Sequence, residues 1–484
     1  MSSLDDTNSG GLTAALERAL DAAPRTLAPG GIAAIVGDGE VLAARPFGST
    51  HDGGPATTTD TVFRIASMTK SFLAACALIL RDEGALDLTA PITDYVPAMT
   101  AARYRGEPVR ITVADLLANR SGLGEDNAWG DEHLGASREE IDAFVSEGLR
   151  LAAPSASVYQ YSNVGMSLVG RAIEAVTGLE VERLIGDRLL VPLGLSQTRW
   201  RPDEYDSRTD LARGHRTFDA GATFVHEPYV GSGALACIGG LFSTVGDIAR
   251  WIGFLASPED ETAPGAGILS VASRRELQRA HTVIPTRVAR FADRPLLSSG
   301  YGYGLVVEHD QVLGRTVGHA GGLPGFASHM RWQPSSRTGV VAFGSSDEFP
   351  AWRVTATALE RVGAPTAPRP GEIWPETLAA VERLDAIVRT GSAIAAAQDL
   401  FSSNVLRDVP AVVRDSRLRD LVARLGAPHD PQAPLAERVR ATPDDATAQW
   451  LVATVHGALR CDVRLMGLAH PVVQSFWITD DAEG

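Results

Sequence analysis

Residues 63–80 read FRIASMTKSFLAACALIL, and the apolar period that opens at Ser67 predicts a helix running to Leu80. Ser67 and Lys70 stand at its start, three residues apart, so a helix places both side chains on one face, one turn apart. Of the 44 Lys and Arg residues in this 484-residue chain, Lys70 is the one lysine. Lys and Arg serve equally as solvated charge, so a position that keeps Lys points to what Arg cannot do, which is to lose its proton when desolvated. By chance, a serine stands three residues before it with a probability of about one in fifteen. A hydroxyl becomes a nucleophile when a base takes its proton, and a desolvated Lys70 can be that base for Ser67. The helix N-terminus adds backbone N–H groups suited to an oxyanion. The plain alternative makes Ser67 an N-cap and Lys70 a solvated helix residue.

Upstream, an amphipathic helix at Thr13 to Ala23 precedes strand-like Ile32 to Val36 and Val41 to Ala44, with Asp38-Gly39 as the turn of a hairpin. Downstream, helical stretches run to about Leu195. Strands are then read at Gly239 to Phe242, Tyr303 to Glu308, His329 to Gln333 and Gly339 to Phe343, ahead of a closing helix at Ala351 to Val362. The pattern is α/β (α+β): a sheet lobe with a helical lobe inserted. Residues 364–375, APTAPRPGEIWP, carry four prolines and no helical period, which predicts a linker. A chain of this length exceeds one hydrophobic core, so the domains are read as 1–363 and 376–484. The second is a small α+β accessory domain. Its helices are expected at Glu376 to Arg389, Ala393 to Phe401 and Val409 to Leu425, and its strands near Trp450 to Val455, Leu459 to Met466 and Val472 to Ile478. It faintly resembles the cone-shaped domains of the nuclear-transport-factor-2-like superfamily.

A formal net charge of −15 argues against nucleic acid or an anionic membrane as partner, since both need clustered cations. The opening residues MSSLDDTNSGG lack the basic and apolar regions of an export signal, so the expected location is the cytoplasm. Cys76, Cys237 and Cys461 lie in apolar surroundings and read as buried thiols in a reducing compartment. No pair has metal-ligand spacing, and neither a metal nor a cofactor is expected.

Tyr161-Ser162-Asn163 adds to the case. With eight Tyr and five Asn in the chain, Tyr-x-Asn should arise by chance about 0.1 times. A tyrosine or tyrosinate beside Lys70 can shuttle a proton to a leaving group while Asn163 holds both by hydrogen bonds. The bland reading is a loop Asn before a helix and a core Tyr. His319-Ala320-Gly321-Gly322 is weaker by itself, because His-x-Gly recurs at His51 and His133. Its place beyond Tyr161, just before the late strands, singles it out; glycines there let a substrate approach backbone N–H groups. The N–H groups of Gly322 and Ser67 can then form an oxyanion hole. A glycine turn with an exposed His is the alternative.

These residues resemble the serine β-lactamase-like hydrolases, which include class C β-lactamases, DD-peptidases, D-aminopeptidases and family VIII esterases; S-x-x-K is among the motifs of that group. The resemblance runs from about residue 28 to 362 and takes in GALDLTAPITDYVP, ITVADLLANRSGL, YQYSNVGMSLVG, VPLGLSQTRW, GGLFSTVGDIARW and VGHAGGLPGF. It implies Ser67 as nucleophile, Lys70 and Tyr161 as the base pair, Asn163 as substrate and network ligand, and His319 to Gly322 as the third motif. It also implies a five-stranded antiparallel sheet flanked by helices, beside an all-helical lobe. In two places the chain departs from the pattern. His319-Ala320-Gly321 replaces the usual Lys-Thr-Gly, whose lysine helps bind a substrate carboxylate, and Asn119 replaces a frequent His in LLxHxSGL, read here as framework variation.

The expected function is a serine hydrolase acting through an acyl-enzyme on a small ester or amide, foremost a carboxylesterase. An amidase, D-aminopeptidase or weak β-lactamase is the second enzymatic reading. A noncatalytic acyl-ligand sensor is the reading from another class. The oligomeric state stays open.

Overall fold

The computed structural model describes residues 5–23, 25–257, 265–285, 290–291, 294–363, 373–429, 434–440 and 444–481. Residues 364–372 of the expected linker lie outside them. The chain divides into two compact units, Met1–Pro365 and Thr366–Gly484.

The first unit opens with helix α1 (Asp5–Ala22) and a hairpin of β1 (Gly30–Gly37) and β2 (Glu40–Gly48). The turn residues Asp38 and Gly39 have φ of 48° and 85°, the left-handed pair that matches the twist of a two-residue hairpin. The elements that follow and matter here are α2 (Thr69–Asp82), α3 (Asn163–Thr177), α4 (Val245–Ala256), β3 (Thr282–Val283), β4 (Ser298–Tyr301), β5 (Val306–Asp310), β6 (Gly314–Leu323), β7 (Phe326–Gln333), β8 (Thr338–Gly344) and α5 (Ala351–Val362). One sheet joins the strands in the order β2-β1-β8-β7-β6-β5-β4-β3, every neighbour antiparallel. It has eight strands rather than five because β5, β4 and β3 continue the ladder past β6, with Val306 opposite Gly318, Tyr301 opposite Val306 and Thr282 opposite Tyr301.

The strand period of two distributes β1 between two cores. Ala33 and Ile35 join Val340 and Ala342 under α1 and α5, whereas Ile32, Ala34 and Val36 face the larger core that contains α2 and α4. Behind the start of α2, Trp251 of α4 stacks on Phe72 with ring centroids 4.0 Å apart and donates its indole N–H to Ser71 Oγ at 3.0 Å. The turn that carries Ser67 is therefore backed by a rigid aromatic pair.

Several elements differ from the sequence reading. Of the stretch Gly239 to Phe242, Gly239 ends a one-turn helix at Ala236–Gly239, and Phe242 opens a two-residue strand, Phe242–Ser243, which pairs with Phe63–Arg64. The strand expected at Tyr303 starts only at Val306. The His319 motif, expected before the late strands, lies inside β6; four glycines at 314, 318, 321 and 322 conceal that strand, since glycine carries no β propensity. In the second unit, Pro410 keeps Val409 extended, with φ of −135° and ψ of 105°, so the helix expected from Val409 begins at Ala411, after a separate short helix at Ser403–Asp408.

That second unit packs α6 (Pro375–Thr390) and α7 (Ala411–Leu425) with an antiparallel sheet in the order β9 (Val439–Arg440), β10 (Thr447–Thr454), β11 (Gly457–Met466) and β12 (Val472–Asp480). Leu384, Trp450, Val452 and Phe476 lie in its core. Among the described residues no helix of the chain is long and apolar enough to cross a membrane.

Candidate active site

Ala66–Met68 forms one 3-10 turn leading into α2, and Ala66 has φ of 47°. A left-handed alanine costs about 1–2 kcal/mol, so the surroundings must hold it. They do so from three sides. Ile65 N–H donates to Leu241 O at 2.9 Å, Ser328 Oγ donates to Ile65 O at 2.7 Å, and Thr69 Oγ1 donates to Ala66 O at 2.7 Å. Strand β6 closes on the same turn: a Cβ on Gly321 would lie 2.3 Å from Ile65 O and 2.2 Å from Ser328 Oγ, so only glycine fits there.

Inside this frame Lys70 is fully buried. Its Nζ lies 2.9 Å from Ser67 Oγ and 3.0 Å from the carbonyl oxygen of Ile238. Burial among neutral groups disfavours the ammonium and lowers the lysine to about 7, against an opposing pull from the charges of Asp131 and Asp126. A sizeable fraction of Lys70 is then an amine at neutral pH, with its lone pair in reach of the Ser67 proton.

Tyr161 joins this pair. The ring centroid is 4.9 Å from Lys70 Nζ and the phenol reaches the Ser67 side chain; burial raises its pKa well above the ordinary value, although the contact with Ser67 works the other way. Tyr161 is therefore a phenol at neutral pH, able to donate a proton. Asn163, the first residue of α3, is placed differently. Its Nδ2 donates to Asn127 O at 3.3 Å, and its Oδ1 is buried without a hydrogen-bond partner. Asp126 fixes this segment, accepting from Ser162 Oγ, Asn163 N–H and Val164 N–H, which satisfies the first turn of α3 with an anion where the helix dipole favours one.

On the other side, β6 presents His319 to Gly322. His319 is buried; its Nε2 is 3.0 Å from the Tyr301 hydroxyl, and its Nδ1 is against the carbonyl of Ala320. A carbonyl can only accept, so Nδ1 carries the proton and Nε2 accepts from Tyr301. Burial, then the charge of Lys70, pushes the ring down to about 3. His319 is thus a neutral imidazole, not a stand-in for the Lys-Thr-Gly cation. Gly322 is exposed, and a Cβ on it would meet nothing within 4 Å, so open space lies above the strand there.

Four neighbours of these residues escaped the sequence reading. Tyr301, on β4, has no motif around it. Asp126 and Asp131 are ordinary acids in a polar stretch; Asp131 is nevertheless buried, burial raises it, and its Oδ1 has no hydrogen-bond partner. Asn119 is more than framework variation. With φ of 50°, a conformation Asn tolerates better than most residues, it accepts Gln160 N–H on its carbonyl at 2.9 Å and Ser162 N–H on Oδ1 at 3.0 Å. Those two bonds flank Tyr161, and the Asn119 side chain also meets the Tyr301 phenol.

The pattern that defines the Beta-lactamase family matches residues 14–364, well over half of the chain. The chain belongs to the Beta-lactamase family. Members of this family are hydrolases. The D-alanyl-D-alanine-carboxypeptidase/endopeptidase AmpH of Escherichia coli (strain K12) is 28% identical over 228 residues, 46% of this chain and 56% of AmpH; the chain spans about half the length of that relative. The octameric penicillin-binding protein homologue from Pyrococcus abyssi superposes with a TM-score of 0.62 at 20% identity, over 97% of this chain and 99% of the other. EstCE1, a hydrolase with promiscuous acyltransferase activity, does so with a TM-score of 0.60 at 19% identity, over 73% and 100%. At such identities the two solved structures speak for the Beta-lactamase fold alone.

Proposed function

We propose that this chain is a carboxylesterase that works through an acyl-enzyme on Ser67. The observation that carries the reading is the 2.9 Å approach of Lys70 Nζ to Ser67 Oγ in a fully buried setting. Lys70 takes the hydroxyl proton as Oγ forms its bond to the ester carbonyl carbon. The oxyanion is received by the N–H groups of Ser67 and Gly322. Tyr161, a phenol at this pH, passes a proton to the leaving alkoxide and recovers one from Lys70. Water then cleaves the acyl-enzyme along the same path in reverse. Asn163 and His319 line the substrate side, with Gly321 letting β6 approach the nucleophile turn.

The preference for esters over β-lactams rests on His319, whose neutral ring offers no cation to a substrate carboxylate. An amide or D-amino-acid substrate is the second reading, favoured by the peptidase named among the relatives. A cytoplasmic location belongs to the same proposal and rests on three free, buried thiols. Ser67→Ala should abolish turnover of p-nitrophenyl acetate, by about 10⁴-fold or more. Retained turnover would reject the assignment. Specificity constants for esters, D-amino-acid amides and β-lactams, measured side by side, rank the substrate classes.

A further inference from the structure

Asp131 lies on the short helix Asn127–Glu132. It is 9% exposed, and its Oδ1 is buried without a hydrogen-bond partner. A bare carboxylate in such a place costs stability. Asp126 shows the ordinary remedy, since its oxygens accept from Ser162 Oγ and from the N–H groups of Asn163 and Val164. The segment around Asp131 is pinned on two sides to the walls around Lys70. A Cβ on Gly130 would lie 2.5 Å from Asn163 Cβ, and one on Gly239 would lie 3.3 Å from Leu134 Cδ1; Gly239 follows Ile238, whose carbonyl faces Lys70 Nζ. The N–H groups of Gly233 and Ala234 donate to the carbonyls of Leu134 and Ala136 at 3.0 and 2.7 Å. Besides Asp131 and Asp126, the ionisable groups that face Lys70 are Tyr161, Cys237 and His319. Burial keeps these three neutral at pH 7. Arg81 and Glu276 pair with each other at the far end of α2.

We propose that Asp131 is the remote counter-charge of Lys70: its carboxylate acts on Nζ through protein of low dielectric, beyond ion-pair distance, and stabilises the ammonium that forms as Lys70 takes the Ser67 proton. Asp131 gains no proton in that step. It acts through Lys70 and is a positioning residue. Burial raises the Asp131 carboxyl to about 6, with the charge of Lys70 opposing; burial lowers Lys70, with the charge of Asp131 foremost among those opposing. At pH 7 and above, Asp131 is therefore an anion.

The inference rests on Lys70 as the base for Ser67, whatever acyl substrate the enzyme takes. Asp131→Asn removes the charge and keeps the shape. In protein carrying ¹³C-lysine, the signal of the one lysine should titrate about one pH unit lower than in the wild type, and Asp131→Glu should restore most of that shift. With p-nitrophenyl acetate, the rise of kcat/KM with pH should move down by the same amount, while the plateau above it falls about threefold because the lysine is a weaker base. At pH 8, where Lys70 is mostly amine, Asp131→Asn should melt no lower than the wild type, since it removes an unsatisfied buried charge. An unmoved or higher lysine midpoint, an equal shift in Asp131→Glu, or unfolding of Asp131→Asn at pH 8 overturns the counter-charge and makes Asp131 a structural residue. An activity profile that stays in place while esters are hydrolysed overturns its part in the chemistry. Each of these leaves the ester reading standing. The lysine signal needs no substrate, so a lowered midpoint in protein that hydrolyses no ester would keep the counter-charge and remove the ester reading alone.

Discussion

Lys70 in the first unit and Asp385 in the second are both buried ionisable groups, yet their surroundings treat them in opposite ways. Asp385 receives Arg389 Nε at 2.9 Å, both terminal nitrogens of Arg438 at 3.0 Å, and Trp450 Nε1 at 3.0 Å. Burial works to raise its pKa, but the hydrogen bonds and charges of the two arginines win and hold it below the usual carboxylate range. Lys70 receives a hydroxyl and a carbonyl, with no carboxylate in ion-pair contact among the described residues. Burial therefore wins there. The contrast teaches that burial by itself does not make a group reactive; a missing counter-charge does. A satisfied charge cross-links a domain, whereas an unsatisfied one waits to change state.

Lys70→Arg is the sharpest way to break this contrast, because it keeps the charge and nearly the reach but removes the ability to deprotonate. A loss of about 10³-fold in kcat is expected, equivalent to about 4 kcal/mol. Near-wild-type turnover would mean that only positive charge matters at this position. Asp385→Ala tests the other half. Removing the carboxylate that three side chains share should destabilise the chain by about 3 kcal/mol in denaturant unfolding; a change below about 1 kcal/mol would deny the cluster its structural part. Tyr161→Phe should slow ester turnover about 10²-fold, about 2.7 kcal/mol, and the loss should shrink for esters with acidic leaving groups, which need no proton. An equal loss across leaving groups would place Tyr161 in framing rather than proton delivery. Tyr301→Phe is the mildest. Taking the hydroxyl from buried His319 should cost about 1 kcal/mol, a several-fold drop in kcat/KM. A loss as large as that of Lys70→Arg would bring Tyr301 into the chemistry.

The parts of this molecule that the sequence makes legible are local. Ser67 and Lys70 are one helical turn apart, so their meeting needs no knowledge of tertiary structure. The Asp38-Gly39 hairpin and the closing helix at Ala351–Val362 follow equally from short-range periodicity and turn chemistry. Strand β6 is hidden by its glycines, and one of them, Gly321, is there because Ile65 and Ser328 crowd the backbone, a constraint set by an element more than 200 residues away in the case of Ile65. Tyr301 is 18 residues from His319 and two strands away in the sheet, so no motif joins them. Asn119 did carry a signal: it is one of the two departures from the pattern that the sequence resembles. Its left-handed backbone and its clamp on either side of Tyr161 explain the choice only once the loop is seen in three dimensions.

Because Lys70 is the one lysine of the chain, enzyme labelled with ¹³C-lysine gives a single side-chain signal, and its NMR titration reads that residue directly. The ammonium is penalised in the folded state, so the signal should titrate near pH 7 and the amine should prevail above it. Ester kcat/KM should rise with pH through the same midpoint. A midpoint near 10, or an activity profile flat between pH 6 and 8, would contradict Lys70 as the base of this site.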